Sequence, residues 1–440
     1  MKLRTDHCLV EDYEIEKTAE LLHPYIDRLN HILESKEYHE YESSICLPED
    51  STLFQKTKDV VASHDLSKIK YVIDIGIGGS NLGTKAIYDA AFGFFDSVQN
   101  NRYPKMIFLD TINDELLKRM ATSIQSNIYS PGEVLIFLIS KSGGTTETIA
   151  NFELLHAHAP TLFEKDLGNV IVITDEGSAL YNQAMEKHLG VITIPKPIGG
   201  RYSVFSGVGT APLEAVGINV KEVLEGASTI LPFALSKDVH TNPSALSAIT
   251  QYLQLQKGKD IHNLFIFQSN FESIGKWYRQ LMGESIGKEL DKDGKSVHTG
   301  IVPNLSIGST DLHSVGQMYL GGPENEMTEF VFASKPHDPL TLPQTLLTGN
   351  LIEHIASKST TTILEAILEG VMLAYEKKGL PFTTLDLEDT TLHSIGAFLQ
   401  YKMIEMMYLG VLLNVNAFDQ PNVESYKTET KALLAGFKKY

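Results

Sequence analysis

Apolar residues recur along the chain in two periods. Ile15, Ala19, Leu22, Ile26 and Leu29 are spaced by three and four, which predicts helix from roughly Tyr13 to Leu33. The pattern then changes to short unbroken apolar runs at Tyr71–Ile75, Lys105–Leu109, Val134–Ile139, Val170–Thr174 and Val191–Ile194. Runs of that length predict strands covered on both faces. Amphipathic stretches between them, such as Leu82–Phe95 and Ala179–His188, predict the covering helices. Strand and helix in alternation imply a parallel sheet.

A Gly/Pro passage, Pro195 to Arg201, marks the exit from this first unit. A mainly helical stretch follows from Pro212 to Gln256, and the α/β pattern then restarts. Leu264–Gln268, Phe330–Ala333 and Thr383–Leu387 read as strands; Ile274–Met282, Pro343–Lys378 and Thr391–Leu413 read as helical. The expected organisation is a helical N-terminal segment (1–65), an α/β domain (66–210), a helical connection (211–258), a second α/β domain (259–415) and a polar, then helical tail (416–440).

With 440 residues the chain has room for two sizeable cores, and 42% apolar against 21% charged residues is an ordinary globular composition. The 37 basic and 55 acidic residues give a net charge of −18, which argues against nucleic-acid binding and requires any anionic ligand to be held by local cations. Cys8 and Cys46 make neither a disulfide framework nor a metal quartet. The first residues lack the apolar core of a signal peptide, and no run approaches the roughly 18 apolar residues of a membrane span. A cytoplasmic protein is expected.

Candidate chemistry begins where two strands end. After Val134–Ile139 comes Ser140-Lys141-Ser142-Gly143-Gly144-Thr145, which opens a helix through Ile149, Phe152 and Leu155. Helix starts carry unpaired N–H groups and partial positive charge, so this passage can cradle a phosphate or act as an ordinary Ser/Thr cap. After Tyr71–Ile75 comes a second glycine-rich turn, Gly76-Ile77-Gly78-Gly79-Ser80-Asn81. It misses the dinucleotide fingerprint, because Asn81 stands at the third glycine position. Two such turns in one unit suggest a small phosphorylated molecule at the strand ends.

Several segments together resemble the glucose-6-phosphate isomerase family: IGIGGSNLG (75–83), SKSGGTTET (140–148), GGRYSVFSGVG (199–209), GESIGK (283–288), STDLHSVGQ (309–317) and NAFDQPNVESYK (416–427). Their order and spacing match from about Tyr71 to Lys427, and the last two segments resemble the short bacterial branch. The resemblance implies two sugar-isomerase domains, each a mainly parallel sheet flanked by helices. It also implies a homodimer with shared active sites, no metal and no organic cofactor. The implied reaction is reversible interconversion of glucose 6-phosphate and fructose 6-phosphate in glycolysis and gluconeogenesis.

Moving a carbonyl from C1 to C2 requires one base to take a proton from one carbon of a cis-enediol and return it to the next. A carboxylate with its pKa raised toward the working pH suits that task. By resemblance the base is Glu284, which in isolation reads as a solvated glutamate near a helix end. Arg201 corresponds to the family's arginine that stabilises the enediolate; its guanidinium stays protonated. His313 and Lys427 match the pair that opens the sugar ring, with His313 entering from the partner subunit. Ser140, Ser142 and Thr145, with the backbone at Lys141, correspond to the phosphate loop; Gly79, Ser80 and Gln420 correspond to the sugar side.

Two other readings stay open at this level. A non-catalytic sugar-phosphate-binding regulatory protein would need the two cradles but not Glu284, Arg201, His313 and Lys427. A nicotinamide-dependent dehydrogenase is suggested by Gly76-Ile77-Gly78 alone. A calcium loop over 289–300 fails, because Gly300 occupies the position of the bidentate glutamate.

Overall fold

Strands that are apolar on both faces need cover on both faces, and the fold supplies it twice. The computed structural model describes residues 1–335, 338–349 and 351–436. Lys2–Arg4 forms a short strand, β1. The first sheet comprises β2 (Tyr71–Ile75), β3 (Lys105–Leu109), β4 (Val134–Ile139), β5 (Val170–Thr174) and β6 (Gly190–Thr193). Its order is β3-β2-β4-β5-β6, with every pair parallel. Every residue of β2, β4 and β5 is buried. Tyr71, Ile73 and Ile75 point into one core, and Val72 points into the larger core on the other side.

The second sheet comprises β7 (Ile261–Ile266), β10 (Val302–Ile307), β11 (Glu326–Phe332) and β12 (Phe382–Asp386), with β8 (Lys288–Leu290) and β9 (Ser296–Thr299) forming a separate antiparallel hairpin. Its order is β1-β12-β11-β7-β10, parallel except for β1. The N-terminal segment, expected to be helical, therefore also contributes an edge strand. Strand β10 departs from the sequence reading too. It lies at the sheet edge and carries Pro303, Asn304 and Ser306, so it lacks the apolar run of an inner strand. Asn304 and Ser306 bond instead to Asn263 and to the Tyr319 hydroxyl.

The helix expected over Pro343–Lys378 begins only at Thr360. The Ser359 hydroxyl caps it by accepting from the Thr362 N–H at 3.0 Å. Residue 350 lies outside the described residues; Leu340, Leu347, Leu351 and Ile352, in the irregular stretch before the helix, are exposed.

The helix Leu392–Leu412 runs through the middle of the molecule and is buried along most of its length. It meets the helix Val220–Thr229 at two glycines. A Cβ on Gly226 would lie 1.9 Å from the His393 carbonyl oxygen, and one on Gly396 would lie 2.0 Å from that of Val223. Lys402 on this helix is fully buried between Glu329 and Glu405, at 2.6 Å from each. Tyr278 and Gln251 complete the hydrogen bonding of Glu405. Burial opposes ionisation of Glu329, but the Lys402 ammonium and His262 hold its pKa down to about 2.

One packing contact matters most for the site. The helix Glu272–Ile286, which follows β7, packs along the helix Leu82–Phe92, which follows β2. The glycine-rich turn of the first sheet is thereby brought against the end of a helix from the second.

Candidate active site

The turn after β2 needs its glycines. Gly78 adopts φ +60°, and a Cβ on it would lie 2.9 Å from Gln280 Nε2. A Cβ on Gly79 would lie 2.2 Å from the Gly200 carbonyl carbon, so the backbone of this turn is in direct contact with the loop that carries Arg201. Gly79→Ala is therefore expected to push the loop carrying Arg201 away from the turn. The overpacking costs about 1–3 kcal/mol. Thermal denaturation and a turnover assay would show it; a variant with normal activity would mean that this contact does not set the site.

Arg201 follows Gly200 directly and is 3% exposed. Its five N–H donors have five acceptors: Nε donates to Ser285 Oγ at 2.9 Å, Nη1 to Glu284 Oε2 at 3.3 Å and Gln420 Oε1 at 3.0 Å, and Nη2 to the carbonyls of Ala417 at 2.7 Å and Asp419 at 3.1 Å. A buried guanidinium is stable only when satisfied in this way. Glu284 sits in the last turn of the helix Glu272–Ile286, with its side chain 31% exposed. Its other carboxylate oxygen accepts from Gln280 Nε2 at 3.3 Å. Gln280 Oε1 is buried with no hydrogen-bond partner among the described residues.

The Ser140–Thr145 loop follows β4, the neighbour of β2 in the first sheet. Ser140 Oγ and Thr145 Oγ1 are 2.9 Å apart, and Gly143 turns the loop at φ +71°. Thr145 is the cap position of the helix Thr146–His158, yet its side chain makes no capping bond. The helix start therefore keeps donors for an anion. Lys141 Nζ ties the loop to the approach to Arg201 by donating to the carbonyls of Lys196 at 2.8 Å and Ile198 at 2.7 Å. Burial lowers the Lys141 pKa, with Asp175 opposing.

Of the residues singled out in the sequence, Glu284 and Gln420 thus both bond Arg201, and Gly79 abuts Gly200. Ser80 continues the same turn, half-buried. Ser140, Lys141, Ser142 and Thr145 stay in their own loop, tied to the approach to Arg201 through Lys141, and His313 and Lys427 lie apart from both. His313 is exposed on the short helix Thr310–Ser314. Lys427, on the helix Val423–Leu434, pairs with Glu424 at 2.7 Å. Sequence reasoning passed over Gln280, Ser285, Lys288 and Asp419. Gln280 and Lys288 stand four residues before and after Glu284, a spacing that puts side chains on one helical face and could have flagged Gln280.

Two mainly parallel sheets flanked by helices, with a glycine/serine turn of one sheet set against a buried arginine that faces a carboxylate on a helix of the other, define an α/β protein with one site built from both sheets. The family model for phosphoglucose isomerase matches residues 56–439, and the chain belongs to that family. It is 31% identical over 376 residues to the glucose-6-phosphate isomerase of Methanocaldococcus jannaschii, covering 84% of this chain and 87% of that one. It is 29% identical to that of Carboxydothermus hydrogenoformans, covering 83% and 79%. A hypothetical protein of Thermus thermophilus superposes with a TM-score of 0.84 at 27% identity, covering 99% of this chain and all of that one. A Chlamydia trachomatis glucose-6-phosphate isomerase, at 20% identity, shares the fold with a TM-score of 0.80, covering 97% and 87%.

Proposed function

We propose that the protein interconverts glucose 6-phosphate and fructose 6-phosphate through a cis-enediol, with Glu284 as the shuttling base. The observation that carries this reading is the Glu284 carboxylate 3.3 Å from the fully satisfied Arg201 guanidinium, beside the Gly79–Gly200 contact. In the open-chain aldose, Glu284 takes the proton from C2. The C–H electrons form the C1=C2 bond, and charge moves onto O1. Arg201, itself buried, faces that charge as a fixed cation. Proton exchange between O1 and O2 moves the carbonyl, and Glu284 returns its proton to C1. A binding-only role has no use for this carboxylate–arginine pair.

The phosphate is assigned to Ser140, Ser142, Thr145 and the Lys141 backbone; the sugar to Gly79, Ser80 and Gln420. Ring opening is assigned to Lys427 and to His313 of a second copy. The exposure of His313 supports that last assignment. So does the helix Thr360–Lys378, of whose 19 residues Leu368 and Tyr375 are the two fully buried, while Ile367 and Leu373 are exposed. Exposed apolar side chains on a helix of this length fit an interface between copies. No described helix is long and apolar enough to cross a membrane, and a cytoplasmic location is part of the same proposal.

Turnover of fructose 6-phosphate in deuterated water tests the reaction. Deuterium is expected at C2 of the glucose 6-phosphate formed. Turnover with none there would point to a hydride shift, and a folded protein without turnover would remove the reading.

A further inference from the structure

Lys288 has no part in the chemistry described, yet its side chain is 5% exposed. It stands two residues beyond the last residue of the helix that carries Glu284. Its ammonium has three acceptors: the carbonyl of Glu284 at 2.9 Å, the carbonyl of Asp419, and Asp419 Oδ1 at 2.8 Å. Burial pushes its pKa down, and the Asp419 carboxylate pulls it back up. A lysine ammonium held out of water needs these partners, and all three belong to the segments that flank the reacting groups.

The arrangement is a shared joint. The Asp419 carbonyl accepts from Lys288 on one side and from Arg201 Nη2 on the other. The next residue, Gln420, bonds Arg201 directly, and Arg201 in turn meets the Glu284 carboxylate. The second Asp419 oxygen is held by Asn416 Nδ2 at 3.0 Å. At the helix end, the ammonium satisfies a carbonyl that the helix itself leaves unpaired, and it offsets the negative end of the helix dipole where the carboxylate sits.

We propose that Lys288 is a positioning residue for the isomerisation, a clamp that fixes the 416–420 segment, and with it Gln420 and Arg201, against the end of the helix bearing Glu284. This rests on the function proposed above. The clamp bonds the base helix directly and reaches the arginine through the shared Asp419 carbonyl, and among the described residues it makes no hydrogen bond to the Ser140–Thr145 loop. Its loss therefore degrades proton transfer and leaves the phosphate anchor intact.

The test compares Lys288→Met, Lys288→Arg and Asp419→Ala with the wild-type chain, in turnover of fructose 6-phosphate and in binding of inorganic phosphate. Displacement of reacting groups by a fraction of an ångström to an ångström is expected to lower kcat about ten- to a hundredfold. The phosphate affinity should stay within about threefold, and KM should rise far less than kcat falls, since only Gln420 on the sugar side moves with the clamp. Lys288→Arg, which keeps charge and donors, should recover much of the loss, and Asp419→Ala should reproduce part of it. Should Lys288→Met fail to fold, the split between kcat and KM is read from Asp419→Ala and Lys288→Arg. An active wild type with variants of unchanged kcat would overturn the clamp alone. Variants that lose only thermal stability, with normal kcat per folded site, would overturn it as well. An inactive wild type would remove the proposed function together with the clamp.

Discussion

Glu284→Gln is expected to abolish isomerisation while leaving ligand binding in place. The substitution conserves shape: a glutamine amide can still meet Gln280 and Arg201, which lie at 3.3 Å from the two carboxylate oxygens. It removes the one property the reaction needs, a group that accepts a proton from carbon and gives it back. Loss of a general base typically costs about 10²–10⁴-fold in rate, and here the same group acts at both carbons. Turnover should fall by at least that range. Titration with a six-carbon acid phosphate should show an affinity close to that of the wild type, because the phosphate loop is built on a different sheet. Near-normal turnover would place the base elsewhere. Loss of both turnover and binding would mean that the carboxylate holds the site together instead of reacting.

The fold was legible where burial is simplest. Strands β2, β3, β4 and β5 have the bounds that the apolar runs indicate. A strand covered on both faces writes a continuous signal, and glycine or serine turns end it. Strand β10 was not legible, because an edge strand with Pro303, Asn304 and Ser306 satisfies itself through side-chain hydrogen bonds that leave no period. The helical reading before Thr360 failed for the opposite reason. Leu346, Leu347, Leu351 and Ile352 carry the apolar content of a helix, but the chain there is irregular and largely exposed. At the site, Glu284 and Arg201 were recognisable from their surrounding motifs. The groups that hold them, Ser285, Lys288 and the carbonyls of Ala417 and Asp419, were not. A backbone acceptor has no residue signature, and a lysine beyond a helix end reads as solvated until its burial is seen.

Mixing two inactive variants should restore activity, and this is the sharpest outcome expected of the proposed dimer. His313 makes no hydrogen bond or ion pair to the Arg201–Glu284 cluster among the described residues, and it is exposed on the helix Thr310–Ser314. The turn holding it is braced, with Asp311 Oδ2 accepting from the Ile307 N–H at 2.7 Å and Asp311 Oδ1 from the Ser314 hydroxyl at 2.7 Å. A braced, exposed histidine fits the proposed role at the site of a second copy, where an imidazole can both give and take a proton at a ring oxygen. His313→Ala alone should be nearly inactive on the cyclic sugar, and so should Glu284→Gln alone. When equal amounts of the two chains are refolded together, half of the dimers pair unlike subunits. Within each of those, the site on the His313→Ala chain has its own Glu284 and receives an intact histidine from the other chain. Specific activity should return to about a quarter of the wild-type value, as expected for random pairing in a two-fold dimer. If His313 served the site of its own chain, neither site in a mixed dimer would be whole, and the mixture would stay inactive. A His313→Ala protein with full activity would instead take the histidine out of the mechanism.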